Sequence, residues 1–94
     1  MTLDCIKSGG WAFIVGVSPD APQRRRLLEL GLTRGALVRM CGHAAFGDPV
    51  WIYVRGGYLT MRKSQAAAIL VRPALPLPGG GFAHETHLWQ EAQG

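Results

Sequence analysis

Between residues 11 and 72 the chain alternates short apolar runs with breaks rich in glycine, proline and charge. The first run, WAFIVGV (11–17), is dense in β-branched and aromatic residues and predicts a strand with both faces covered. SPDAPQRRRLLELG (18–31) then reads as a helix, with Asp20 as N-cap, Pro22 in the first turn and Gly31 as a left-handed C-terminal cap. ALVRM (36–40) follows as a second strand, and FGDP (46–49) has the composition of a tight turn. In VWIYVR (50–55), Val50, Ile52 and Val54 fall on one face and Trp51, Tyr53 and Arg55 on the other. The glycine pair 56–57 predicts a hairpin into YLTMR (58–62), and SQAAAILV (64–71) predicts one helical turn and a closing strand.

The expectation is a mainly β domain: a small barrel or folded-over sheet of about five strands, with one short helix after the first strand. A barrel fits best, because closure removes the sheet edges that so small a body could not otherwise cover. PALPLPGGG (73–81) packs three prolines and three glycines into nine residues and is expected to break any regular element. The predicted domain is therefore 1–72, with a Pro/Gly hinge and tail over 73–94 that has Phe82 and Trp89 as its large anchors.

Charge sharpens this picture. All ten Lys and Arg residues precede position 73, against four acids there, so the body carries +6 and the tail, with Glu85 and Glu91, −2. The triplet Arg24–Arg25–Arg26 invites a nucleic-acid reading, but at about 100° per residue it is split around the helix. Leu27, Leu28 and Leu30 occupy an arc of roughly 160°, wider than the roughly 100° a helix needs to pack on a small core. Arg25, Arg26 and Glu29 lie opposite, and Arg24 lies at the leucine edge. One leucine should therefore be only half buried, and Leu27 or Leu28 is the expected contact for a protein partner, flanked by Arg24 and Arg25. The other reading makes all three leucines core.

Cys5 and Cys41 form no C-x-x-C and read as free thiols, a single bridge staying open. No apolar run approaches the 18 or so residues that span a bilayer. WAFIVGV lacks the cleavage site of a signal peptide, so the expected location is the cytoplasm.

RRRLLELGLTRGALVRM followed by AFGDPVWIYVRGGYLTMRKSQAAAILV resembles the FeoA family, small partners of the bacterial ferrous iron transporter FeoB. The residues that carry the resemblance are Arg26, Leu27, Leu28, Leu30, Gly31, Leu32 and Gly35, then Gly47, Asp48 and Pro49, then Leu59, Met61, Arg62, Ile69 and Val71. It covers about residues 3 to 72. The resemblance implies an SH3-like barrel and a non-enzymatic adaptor for ferrous iron uptake. Such an adaptor would bind the transporter's cytoplasmic G-protein region and be recruited to the inner face of the membrane without inserting. It carries Leu27 over as a partner contact, requires no cofactor and predicts no nucleic-acid partner; self-association stays open. A related barrel ends iron- and manganese-dependent repressors, so the alternative is a metal-responsive or nucleic-acid-associated regulatory module.

Other chemistry is sparse. His84, Glu85 and His87 are the only residues with metal-ligand character in a cluster, and lack the i, i+4 histidine spacing of a zinc peptidase. They suit adventitious capture of Zn²⁺ or Ni²⁺ rather than selective iron binding. Cys41 and His43 are too few for a site and read as core or rim. Trp51, Tyr53 and Tyr58 should face outward as interface candidates unless the helix, Phe82 or Trp89 covers them. No catalytic triad or phosphate-binding loop is present in the sequence.

Overall fold

The computed structural model describes residues 1–84. It contains six strands in one antiparallel sheet: β1 (Trp11–Val17), β2 (Leu37–His43), β3 (Val50–Val54), β4 (Gly57–Met61), β5 (Ile69–Pro76) and β6 (Phe82–His84). Helix α1 (Arg24–Glu29) joins β1 to β2, and the single turn α2 (Lys63–Ala66) joins β4 to β5. The ladder runs β4-β3-β2-β1-β5-β6. Register shifts between Ile14 and Gly16 in β1 and between Met40 and Gly42 in β2 mark irregularities that bend a sheet more sharply than regular pairing allows.

Alternation decides what is inside. Ala12 and Ile14, Val38 and Met40, Val50, Ile52 and Val54, and Ile69 and Val71 form one continuous core with Leu3, Leu27, Leu32 and Ala66. The sheet curls around these side chains. Among the described residues its hydrogen-bonded order does not return on itself, so β4 and β6 stand at the two ends of the ladder. The outward positions of β1 are only partly covered, so this strand alternates rather than being buried on both faces as expected.

The short helix is determined at its C-terminal end. The Leu32 amide donates to the Leu27 carbonyl at 3.1 Å and the Gly31 amide to the Leu28 carbonyl at 3.1 Å. Together with φ +102° at Gly31 these bonds make a Schellman closure. Its accompanying apolar pair, Leu27 and Leu32, is buried in the core. Arg55 locks the turn from the neighbouring hairpin: its Nε donates to the Gly31 carbonyl at 3.2 Å and its Nη2 to Thr33 Oγ1 at 2.9 Å.

At the other end the expectation fails. Asp20 does not cap the helix; residues 18–23 make successive turns, with the Ala21 amide on the Ser18 carbonyl and the Arg24 amide on the Ala21 carbonyl. The residue that precedes the helix is Gln23, at φ 54°. The hairpin is also one residue earlier than the glycine pair suggests. Val54 pairs with Gly57, and the turn is Arg55–Gly56, both at positive φ as a two-residue hairpin turn of this hand requires.

The proline-rich stretch does not end the sheet. β5 continues through Pro73, which pairs with Ala12 of β1 and has no partner in β6. After a turn closed by the Leu77 amide on the Gly81 carbonyl, β6 returns along β5 and supplies the sixth strand.

Gly31→Ala should lower stability by about 1–3 kcal/mol, because a Cβ there meets left-handed strain as well as a crowded neighbour. That Cβ would collide with Arg55 Cδ. Urea unfolding followed by circular dichroism measures the loss, and Gly35→Ala, at φ +86° with open space around it, separates strain from crowding.

Candidate functional site

The six sequence-selected side chains divide between two surfaces and the core. Leu27 is 2% exposed, and it belongs inside. Its assignment as a partner contact is corrected by the Schellman closure, which pins its carbonyl to Leu32 and turns its side chain into the barrel. Leu28 is half-buried against the core, and the leucine that reaches solvent is Leu30, 38% exposed. Leu30 is the residue after the last helical one, so the end of the helix carries it outward past the core-facing arc.

Around Leu30 lies a shallow depression of about 170 Å³, lined by Gln23, Arg26, Leu27, Leu30, Leu59, Thr60, Met61 and Gln65. Its floor is apolar and its rim is polar. Gln65 Nε2 donates to Gln23 Oε1 at 3.2 Å, tying α2 to the start of α1 across one side. Arg26 stands at the rim. Arg25 lies away from it and pairs with Glu29 at 3.3 Å, both side chains well exposed, an ion pair of little energetic weight. Arg24 turns back, its Nε donating to the Val17 carbonyl at 3.4 Å. The arginine triplet thus serves three separate purposes.

The second surface is the outer face of the sheet. Register places Tyr58, Tyr53, Arg39, Trp11 and Ala74 on one rung across five strands, with His84 as the next register partner. Tyr53 packs edge-on against both Tyr58 (5.1 Å between centroids) and Trp11 (6.4 Å). The Arg39 guanidinium lies 5.5 Å from the Trp11 ring centre, in cation–π range. Phe82 of β6 packs on Trp11 at 5.0 Å. Tyr58 remains 76% exposed, and Trp51, one rung away, 41%. Trp89 lies outside the described residues.

Trp11 and Arg39 were not singled out from sequence. Trp11 opens a run that reads as wholly apolar, and Arg39 sits alone within ALVRM. Only strand pairing sets them beside Tyr53. Leu30 had a signal, its place at the end of the leucine arc, but the short helix hid which edge faces out.

Cys41 and His43 of β2 are both exposed, the rim rather than the core. Cys5 and Cys41 are free thiols. Among the described residues no group of three or more His, Cys, Asp or Glu side chains converges as a metal site, and no helix is long and apolar enough to cross a membrane. Glu85 and His87 of the sequence-level cluster lie outside the described residues. Asp48 is structural, since its Oδ1 accepts the Lys63 amide at 3.0 Å and so fastens the β2–β3 loop to the start of α2.

The described residues thus form an SH3-like sheet with an exposed depression at the helix end and an aromatic rung on its outer face. The chain belongs to the FeoA family, whose domain model matches residues 1–73. A FeoA protein from Chlorobium tepidum is 37% identical, with a TM-score of 0.74 over 84% of this chain and 75% of its own. A FeoA-like protein from Clostridium acetobutylicum is 31% identical, with a TM-score of 0.74 over 83% of this chain and 91% of its own. A zinc-complexed FeoA from Stenotrophomonas maltophilia is 29% identical, with a TM-score of 0.67 over 76% and 88%; it is described as a prokaryotic SH3 domain protein and suggested as a ferrous iron transport activating factor. No curated protein matches the chain.

Leu27→Ala should destabilise the fold by about 2–5 kcal/mol, since it empties a buried site. Leu30→Ala should cost under about 1 kcal/mol, because little of its area is removed from water. Parallel urea melts of the two variants check this ordering; equal losses would mean that both leucines are core.

Proposed function

We infer that this chain is a non-enzymatic accessory protein of bacterial ferrous iron uptake. It acts in the cytoplasm by binding the G-protein region of a FeoB-type transporter at the inner face of the membrane. The observation that carries this reading is the FeoA match over residues 1–73. The binding surface is the depression at the end of α1. Leu30 supplies the apolar anchor and Arg26 the polar rim, while Arg25, paired with Glu29, and Arg24, turned to the Val17 carbonyl, stand outside it. Such a layout, an apolar centre within a polar border, is that of a small contact hot spot. Trp51 and Tyr53, on the sheet face, form a second region of contact. No resident cofactor is needed for this role, and Zn²⁺ or Ni²⁺ bound through the tail histidines would be adventitious.

A bound partner can alter the transporter only through unequal affinity for two of its states. The test is therefore a titration of the full chain against the soluble G-protein domain, once with GDP and once with a GTP analogue. Saturable binding is expected, weaker by at least about tenfold for Leu30→Asp, a loss of about 1.4 kcal/mol. The melting temperature of that variant should be nearly unchanged. A duplex-DNA titration at two salt concentrations should show no saturable binding. Affinity for DNA that collapses as salt rises would instead favour the nucleic-acid-associated module.

A further inference from the structure

The end of the sheet beside the α1 depression exposes main-chain groups as well as side chains. We propose that the partner binds by strand addition: an extended, acidic segment of it pairs with the free edge of β4 and sets an apolar side chain into the depression at Leu30. This deepens the reading of that depression as the transporter's contact and rests on it.

Hydrogen-bond parity leaves the edge free. Val54 and Gly57 flank the two-residue turn Arg55–Gly56, so they form a hydrogen-bonded pair of the β3–β4 ladder. Ile52–Leu59 and Val50–Met61 are then bonded pairs as well, whereas Tyr53–Tyr58 and Trp51–Thr60 are not. The amides and carbonyls of Tyr58 and Thr60 therefore point away from β3. Among the described residues no backbone group of another element bonds to them.

β4 also lacks the side-chain devices that keep an edge closed to other chains. Its sequence, GYLTM, has no charge and no proline, and its register against β3 runs without a bulge. β5 shows the contrast. There the N-terminus covers part of the strand, with Thr2 bridged to Leu70 and the Val71 amide donating to the Met1 carbonyl at 2.9 Å.

Register fixes what an added strand would touch. Leu59 lies opposite Ile52 and lines the depression of about 170 Å³ with Leu30 and Arg26. Tyr58 and Thr60 lie opposite Tyr53 and Trp51 on the outer face. In a segment paired to β4, the residue beside Leu59 thus faces the depression, and its two neighbours face the outer side next to Tyr58 and Thr60. The exposed rings of Tyr58 and Trp51 join the depression in one footprint.

The charge of the occupant follows from these surroundings. Arg26 lines the depression, no acidic residue does, and Arg62 is exposed just beyond Met61. Glu29, the acid of α1, is paired with Arg25. An apolar residue flanked by carboxylates suits this edge, with main-chain bonds supplying affinity and alternate side chains specificity.

Amide hydrogen exchange of the full chain, alone and saturated with the transporter's G-protein domain, tests this. In the free chain the Tyr58 and Thr60 amides should exchange as exposed groups, and the Leu59 amide, bonded to β3, more slowly. Saturation should slow Tyr58 and Thr60 at least about tenfold. Thr60→Pro removes one outward donor without breaking the ladder to β3, and should weaken binding at least about tenfold. Thr60→Val keeps the amide and should bind within about threefold of the parent chain. Arg26→Gln should reduce the dependence of affinity on salt. If the parent binds the domain while both amides stay fast and Thr60→Pro binds equally well, strand addition is overturned and the transporter reading stands. If the parent does not bind, the transporter reading fails and the proposal falls with it. Protection of the two amides in the free chain that grows with its concentration would also overturn the proposal, because a second copy would then be the occupant.

Discussion

The hydrogen bond from the Leu32 amide to the Leu27 carbonyl is the constraint on which the rest of the structure depends. It ends a helix of six residues and turns the chain toward β2, burying Leu27 and Leu32 together. A helix so short has no independent stability and exists because its last turn is packed. Gly31 permits the closure with its left-handed backbone, and Arg55 reaches over from the β3–β4 turn to hold the Gly31 carbonyl and Thr33. One residue before Gly31, the same closure turns Leu30 out of the core. The apolar depression at the helix end is thus a consequence of how the helix stops.

The two surfaces have different physical origins. The depression at α1 arises from the junction of a helix end, the edge strand β4 and α2, and it sits over core side chains. The aromatic rung arises from sheet register alone, one outward residue from each of successive strands. The first rests directly on core packing, with Leu27 in its lining. The second lies on the opposite side of the sheet from the core side chains.

Much of this is visible in the pattern of the chain. Alternation in VWIYVR gives the inward Val50, Ile52 and Val54, the glycine at 31 marks the helix stop, and SQAAAILV gives a helical turn and a strand. What escaped has physical causes. The helix start is set by Gln23 in a left-handed conformation after successive turns, which Asp20 and Pro22 do not announce. A helical wheel gives the direction of the leucine arc but not which edge lies over the core. That is decided by the C-terminal turn. β6 is three residues long behind three glycines, too short for a period of two to register. The rung of Tyr58, Tyr53, Arg39, Trp11 and Ala74 needs pairings among β1 to β5, and no single strand contains that information.

The central claim is that a folded FeoA-family barrel binds its partner through the exposed end of α1, with Leu27 as support rather than contact. Mapping amide chemical-shift changes while the full chain is titrated with the transporter's G-protein domain tests it most directly. Perturbations concentrated at residues 23–30, 59–61 and 65 are the predicted result. Perturbations confined to Trp11, Arg39, Tyr53 and Tyr58, with the α1 end unchanged, would contradict it.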